Sequence, residues 1–252
     1  MTARALRSAC NLTETVSVDT VKRELRKNGL FGRVALKKPS INKVQKKKRM
    51  KYALCHRAWN DTDWRKIIFS DESRLEVLSK SRKYVLRPKG NSQRKNYCIK
   101  TSKFSPSIMV WGAIRGDGKR VLIKCEGNVD SHEYQRILTD ALPSVNNTRY
   151  VLQQDGATCH TSSSTSRFLQ DKGVRLLVPW PPQSPDLNII EHIWEILKQK
   201  IDEREPKSCS DLWNMAQEEF AAISNPQIMK LFDSLPRRMR AVLLAKGGNT
   251  EY

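Results

Sequence analysis

The sequence predicts an α/β fold, a sheet covered by helices, preceded by a small and strongly basic helical unit. Two patterns and one imbalance of charge point there. From residue 64 onward, short apolar runs with turns between them read as a meander of strands, followed by helix, strand, helix and helix. At 252 residues the chain can hold one sizeable core and a small second unit. Its 46 Lys and Arg outnumber 26 Asp and Glu for a net charge of +20, unevenly spread: residues 1–50 carry 14 against 3, and the rest 32 against 23. A basic block of that kind favours a polyanionic partner, nucleic acid ahead of an anionic membrane surface.

In chain order, Ser17 is placed to cap a helix over 18–28 that Gly29 ends. Val18, Val21 and Leu25 form its apolar stripe, and Lys22, Arg23, Arg26 and Lys27 share a separate face about 140° wide. A shorter helix over 3–10 precedes it across a turn at 12–16. Helix, turn and basic helix is how a recognition helix is presented to the major groove, although a solvated helix face has the same pattern. Residues 41–58 lack Pro and Gly and read as a basic connecting helix. Its Lys46-Lys47-Lys48-Arg49 run fits a nuclear-import signal or a phosphate contact. The six cysteines form no CxxC pair and no zinc spacing with the four histidines, as expected of reduced thiols inside a cell. No apolar run approaches the roughly 20 residues of a membrane span, so no membrane partner is expected. The N-terminus has no apolar signal region.

In the body, KIIF at 66–69 reads as a buried strand with Asp71 just past its end. Two hairpins follow, 74–79 with 83–86 and 107–114 with 119–125, the second turned by Arg115-Gly116-Asp117-Gly118. A helix over 132–142 starts near Asp130 or Ser131; a strand through Tyr150-Val151-Leu152 ends at Asp155 and turns at Gly156; a helix covers 163–172. The next helix carries Ile190, Ile193, Trp194, Leu197 and Ile201 as its apolar face, with Glu191 in its first turn. Helices over 210–223, 226–234 and 237–245 complete the chain. Trp111, Trp180 and Trp194 read as core or site-framing residues, with base stacking by Trp180 as the other reading.

A carboxylate at a strand end and another at a helix start can converge into the oxygen cluster that a hard cation such as Mg²⁺ needs. Each acid also has a purely structural reading. Asn188-Ile189-Ile190-Glu191 fits a capping box, Asp155-Gly156 is a common turn pair, and Asp71 and Glu72 fit strand-end solvation.

The runs QQDGATCHTS and WPPQSPDLNIIEHIWE, together with IIFSDES, resemble the Tc/mariner superfamily of DNA transposases in order and spacing. The resemblance implies an RNase H-like catalytic domain in which Asp71, rather than Glu72, Asp155 and Glu191 form a catalytic, metal-binding triad. In that fold the first strand sits centrally beside the strand carrying the second acid, which brings Asp71 and Asp155 side by side. Glutamate as third acid points to the Tc branch. There 34 residues usually separate the second and third acids, and here 35 do, the extra one falling in Val178-Pro179 ahead of the helix. The family's usual Asn-Pro-Ile-Glu is Asn188-Ile189-Ile190-Glu191 here. His160-Thr161 also matches, either near DNA phosphate or as a satisfied loop histidine.

Residues 2–40, down to GLFGRVALKKPS, resemble the end of a second helix-turn-helix, with the family's first helix-turn-helix lying upstream of what the chain contains. The implied organisation is a partial helix-turn-helix over 1–40, a basic linker helix over 41–60 and a catalytic domain over 61–252. Lys22, Arg23, Arg26, Lys27, Lys37 and Lys38 are the expected DNA contacts. The implied cofactor is two Mg²⁺ ions, with Mn²⁺ as substitute, about 3.5–4 Å apart. The implied partner is double-stranded DNA, at transposon ends and at TA target steps that unstack easily. A homodimer and a nuclear location follow from the same resemblance. The implied reaction is phosphodiester hydrolysis at a transposon end, then transfer of the freed 3′-hydroxyl into target DNA. The alternative is a catalytically inactive, transposase-derived DNA-binding protein.

Overall fold

The computed structural model describes residues 2–11, 16–31, 38–77, 105–145 and 149–252. The chain divides into two compact units, Met1–Pro39 and Ser40–Tyr252.

In the first unit, α1 (Ala3–Ala9) is capped by the Thr2 hydroxyl, which accepts from the Ala5 amide. The second helix, α2 (Val18–Lys27), is capped by Ser17, whose hydroxyl accepts from the Thr20 amide at 3.0 Å. Val21 is buried and Val18 and Leu25 are half-buried, so the expected stripe faces inward. Lys22, Arg23, Arg26 and Lys27 are exposed together; Lys22 pairs with Asp19 and Lys27 with Glu24 along the helix. Lys38 is exposed, and Lys37 lies outside the described residues.

The second unit opens with α3 (Lys43–His56), whose N-terminus is closed by a reciprocal Asn42–Gln45 capping box, and a short α4 (Asp61–Trp64). The helix expected as a linker is thus packed within this unit. The sheet has the order β3-β2-β1-β4, built from β1 (Ile67–Glu76), β2 (Ser107–Arg115), β3 (Arg120–Lys124) and β4 (Val151–Gln153). β1 pairs antiparallel with β2 and parallel with β4, so the first strand lies centrally beside the strand leading to Asp155. Leu176 adds an isolated parallel bridge to Leu152 outside β4.

The strand expected to stop before Asp71 instead runs unbroken to Glu76. Asp71 sits mid-strand opposite Gly112, and residues 74–76 continue the same ladder against β2. The polar run SDES resembles a strand end in sequence, but its backbone groups are paired across to β2 throughout. Residues 83–86 lie outside the described residues.

Helices cover both faces of the sheet. On one, Ile67, Phe69, Leu75, Val110 and Ile114 pack with α8 (Ile190–Arg204), α9 (Cys209–Ala222), α10 (Asn225–Phe232) and α11 (Leu235–Leu244). On the other, Ile68, Trp111, Ala113 and Leu152 pack with α5 (Ser131–Val145) and α7 (Ser163–Asp171). The short α6 (Thr158–Thr161) links β4 to α7. Because side chains alternate along a strand, Asp71 shares the α8 face with Phe69 while Glu72 shares the α5 face with Ile68.

Candidate active site

β1 brings Asp71 to the centre of the sheet, and α8 brings Glu191 onto the same face. All five apolar positions expected on α8 are buried, so Glu191 stands at the edge of a fixed stripe. The capping box weighed for Asn188 and Glu191 is not formed, since α8 has no side-chain cap of that kind. Instead the Asn188 amide nitrogen donates to the Ser70 carbonyl at 3.1 Å, and its oxygen accepts from the Ile190 amide at 3.3 Å. One buried side chain therefore joins the start of α8 to the residue preceding Asp71. Glu191 is left close enough to Asp71 for the two carboxyl groups to act on each other.

Gly112 completes this approach. A Cβ at that position would lie 2.5 Å from the far edge of the Trp194 ring, so only glycine allows α8 to lie so close to the strand facing Asp71. Neither Gly112 nor the bridging role of Asn188 was read from the sequence. A glycine in mid-strand is the signal that marks a close approach.

The electrostatics follow from crowding. Burial, and then the charges of Glu191, Glu72 and Asp155, push the Asp71 carboxyl up to about 8. Burial also raises Glu191. Burial first, and the nearby carboxylates second, favour the protonated form of Asp71.

Asp155 lies two residues beyond β4 and reaches the same neighbourhood, since its charge is felt at Asp71. One of its oxygens accepts from His160 Nδ1 at 2.7 Å and from the Ala157 amide at 3.0 Å. His160 is 4% exposed and its Nε2 meets Glu72 Oε1 at 3.2 Å. Tyr134 packs on the imidazole with ring centroids 4.1 Å apart. Burial opposes the charged imidazolium, but the carboxylates of Asp155 and Glu72 outweigh it and push His160 up to about 10. The same contact with His160 holds Asp155 below the usual carboxylate range. His160 is thus a satisfied, buried residue that holds one oxygen of Asp155, and Glu72 acts on it from the opposite face of β1.

The donor set, carboxylate oxygens crowded enough to retain a proton, fits a hard divalent cation, whose charge would relieve the repulsion. In this conformation the acids are not drawn around one point: among the described residues no group of three His, Cys, Asp or Glu side chains is arranged to hold an ion. One oxygen of Asp155 is engaged by His160. Trp111 and Trp194 are core residues on opposite faces of the sheet, and Trp180 packs edge-on to Tyr52 with ring centroids 5.3 Å apart. Among the described residues no helix is long and apolar enough to cross a membrane.

Residues 66–213 match a family described as DDE superfamily endonuclease, and residues 1–58 match one described as transposase. The chain is 36% identical over 240 residues to the transposable element Tc1 transposase of Caenorhabditis elegans, covering 92% of this chain and 87% of that one. Among solved structures, the Mos1 transposase paired-end complex with left transposon end superposes with a TM-score of 0.84 at 20% identity, covering 100% of this chain and 76% of that one. A mariner Mos1 paired-end complex with Mg gives 0.83 at 20%, with the same coverage. The RNase H-like frame, these two family matches and the likeness to the Tc1 transposase make the chain a member of the Tc/mariner superfamily of cut-and-paste DNA transposases, with a DDE superfamily endonuclease domain.

Proposed function

We propose that Asp71, Asp155 and Glu191 are the catalytic acids and together hold two Mg²⁺ ions, with Mn²⁺ as substitute, for phosphodiester hydrolysis at transposon ends and strand transfer into target DNA. The observation that carries this reading is the Asn188–Ser70 hydrogen bond that joins the start of α8, which carries Glu191, to the strand that carries Asp71, with Asp155 near enough for its charge to act on Asp71. Bound divalent cations supply an activated water and neutralise charge building on the phosphate and its leaving oxygen. The chain's own part is to place and tune the acids. Asp71 must surrender its proton. Asp155 presents the oxygen that His160 and Ala157 do not hold. Hydrolysis frees a 3′-hydroxyl, whose oxygen then attacks a target phosphodiester and displaces the next 3′ oxygen, so no covalent protein–DNA intermediate is needed.

The DNA itself is read as held by the exposed basic face of α2, Lys22, Arg23, Arg26 and Lys27, with Lys37 and Lys38 following it. The domain organisation that accords with this reading is a partial helix-turn-helix over 1–40, a basic helix over 41–60 and the catalytic domain over 61–252. A homodimer acting in the nucleus accords with the family. The test is metal-dependent nicking of supercoiled plasmid by the protein and by Asp155→Asn. Nicking with Mn²⁺ or Mg²⁺ that falls to background in the variant is the expected result. Salt-sensitive DNA binding with no nicking by either protein overturns the catalytic reading and leaves a DNA-binding relic.

A further inference from the structure

Arg49 ends a run of four basic residues, yet it alone among them is buried, with Lys46, Lys47 and Lys48 exposed on the same turn of α3. Its guanidinium makes a bidentate pair with Asp186, at 2.7 Å from Nη1 to Oδ1 and 2.6 Å from Nη2 to Oδ2. Nη1 also donates to the Ser184 hydroxyl at 2.8 Å and to the Gln183 carbonyl at 3.3 Å. Nε and Nη2 donate to the Gly247 and Gly248 carbonyls at 3.0 and 3.1 Å. Every donor position of the fork is matched, which neither a lysine nor a nucleic-acid contact in this place could do. Asp186 is gripped further by the Thr250 hydroxyl at 2.7 Å, and its carbonyl by Arg238 Nη1 at 2.7 Å.

The clamped residue opens the path to the third acid. Asp186 lies in the 3-10 turn Pro185–Leu187, and the Asn188 amide closes that turn on the Pro185 carbonyl at 3.0 Å. Asn188 then bridges Ser70 and the first turn of α8. From Arg49 to Glu191 the chain is thus held at successive points, with Leu187, Ile189 and Ile190 buried between them. The additional residue near Val178-Pro179 lies before the clamp, where Val178 is 68% exposed.

We infer that Arg49 is a positioning residue for the active site: through Asp186 it docks α3 and the C-terminal tail onto the turn that sets Glu191 against Asp71. Its functional half rests on the proposed role of Glu191, so the test has one readout that needs no metal. Amide hydrogen exchange is followed in the full chain and in Arg49→Lys, which keeps the charge and removes the fork, without metal, over residues 187–194 and over Ile137 and Leu138 of α5 on the opposite face. Mn²⁺ affinity is then measured by calorimetry. Exchange over 187–194 should quicken by about tenfold with α5 unchanged, and Mn²⁺ binding should weaken at least about threefold. Unchanged exchange over 187–194, or equal quickening in both segments, overturns the inference as ordinary packing. The expected exchange pattern with no Mn²⁺ binding by the parent protein supports the clamp and strikes the metal reading instead. Should Arg49→Lys fail to fold, Asp186→Asn carries the same comparison with the buried volume kept.

Discussion

A carboxyl group held up at about 8 by burial and by three neighbouring acids makes the metal-free protein sensitive to pH in an unusual direction. Asp71 keeps its proton in the folded state well above the ordinary value near 3.8, so the native chain binds more protons than the unfolded one between those limits. Stability from this group must therefore fall as pH rises from about 4 to about 8. Glu191, also raised, acts in the same sense. His160 contributes stability that is fully present below its ordinary 6.5 and is lost as pH rises toward about 10, so the two effects overlap above 6.5. Between about pH 5 and 6.5 the raised acids dominate this site. Thermal melting in EDTA should show Tm falling across that interval, and Asp71→Asn should flatten the fall and raise Tm at pH 8 by several degrees, on the order of 1–3 kcal/mol. Added Mn²⁺ should raise the parent's Tm more at pH 8 than at pH 6, because cation and proton compete for the same oxygens. An Asp71→Asn melting curve that keeps the parent's slope would mean that the proton resides elsewhere.

At the level of elements, the junction of β1, β2 and α8 determines how closely Glu191 approaches Asp71. Gly112→Ala places a methyl group 2.5 Å from the Trp194 ring edge, and Trp194 is 1% exposed with Phe220 stacked near it, so the ring has little room to yield. Overpacking of this kind costs about 1–3 kcal/mol, and here it pushes the first turns of α8 away from Asp71. Gly112→Ala should lower Tm by several degrees and weaken Mn²⁺ binding severalfold, and adding Trp194→Phe should recover much of both; a variant that binds Mn²⁺ as the parent does rules out this coupling. The α8 face was legible from sequence because Ile190, Ile193, Trp194, Leu197 and Ile201 keep one helical period. The hairpin of β2 and β3 was legible from its glycine turn. The length of β1 was not, because Asp71, Glu72 and Ser73 look like a strand end until β2 is seen opposite them. Nor could Arg49 be told from Lys46, Lys47 and Lys48 by charge, since its partner Asp186 lies far along the chain and only folding joins them. His160 could be matched by pattern, but its second partner, Glu72, depends on which face of β1 each acid takes.

Taken as a whole, the molecule spreads its positive charge over both units, and this decides what a DNA-binding defect should look like. Residues 1–39 carry nine Lys and Arg against three Asp and Glu, a net of +6, while residues 40–252 carry 37 against 23, a net of +14. In the first unit four of the nine cations share one face of α2, and the second unit distributes a larger excess over 213 residues. Neutralising Arg23 and Arg26 together should therefore weaken duplex binding without abolishing it. If both touch phosphates, the slope of log affinity against log salt should become shallower by about 1.8, roughly 0.9 for each phosphate no longer neutralised. Metal-dependent nicking at saturating DNA should be unchanged, since both residues stand on α2 and the acids on β1, beyond β4 and on α8. Fluorescence anisotropy on a labelled duplex across a salt series measures the slope directly. A slope equal to the parent's would assign DNA binding to the second unit and leave the α2 face as a solvated surface, because a residue that displaces no counterion cannot touch the phosphate backbone.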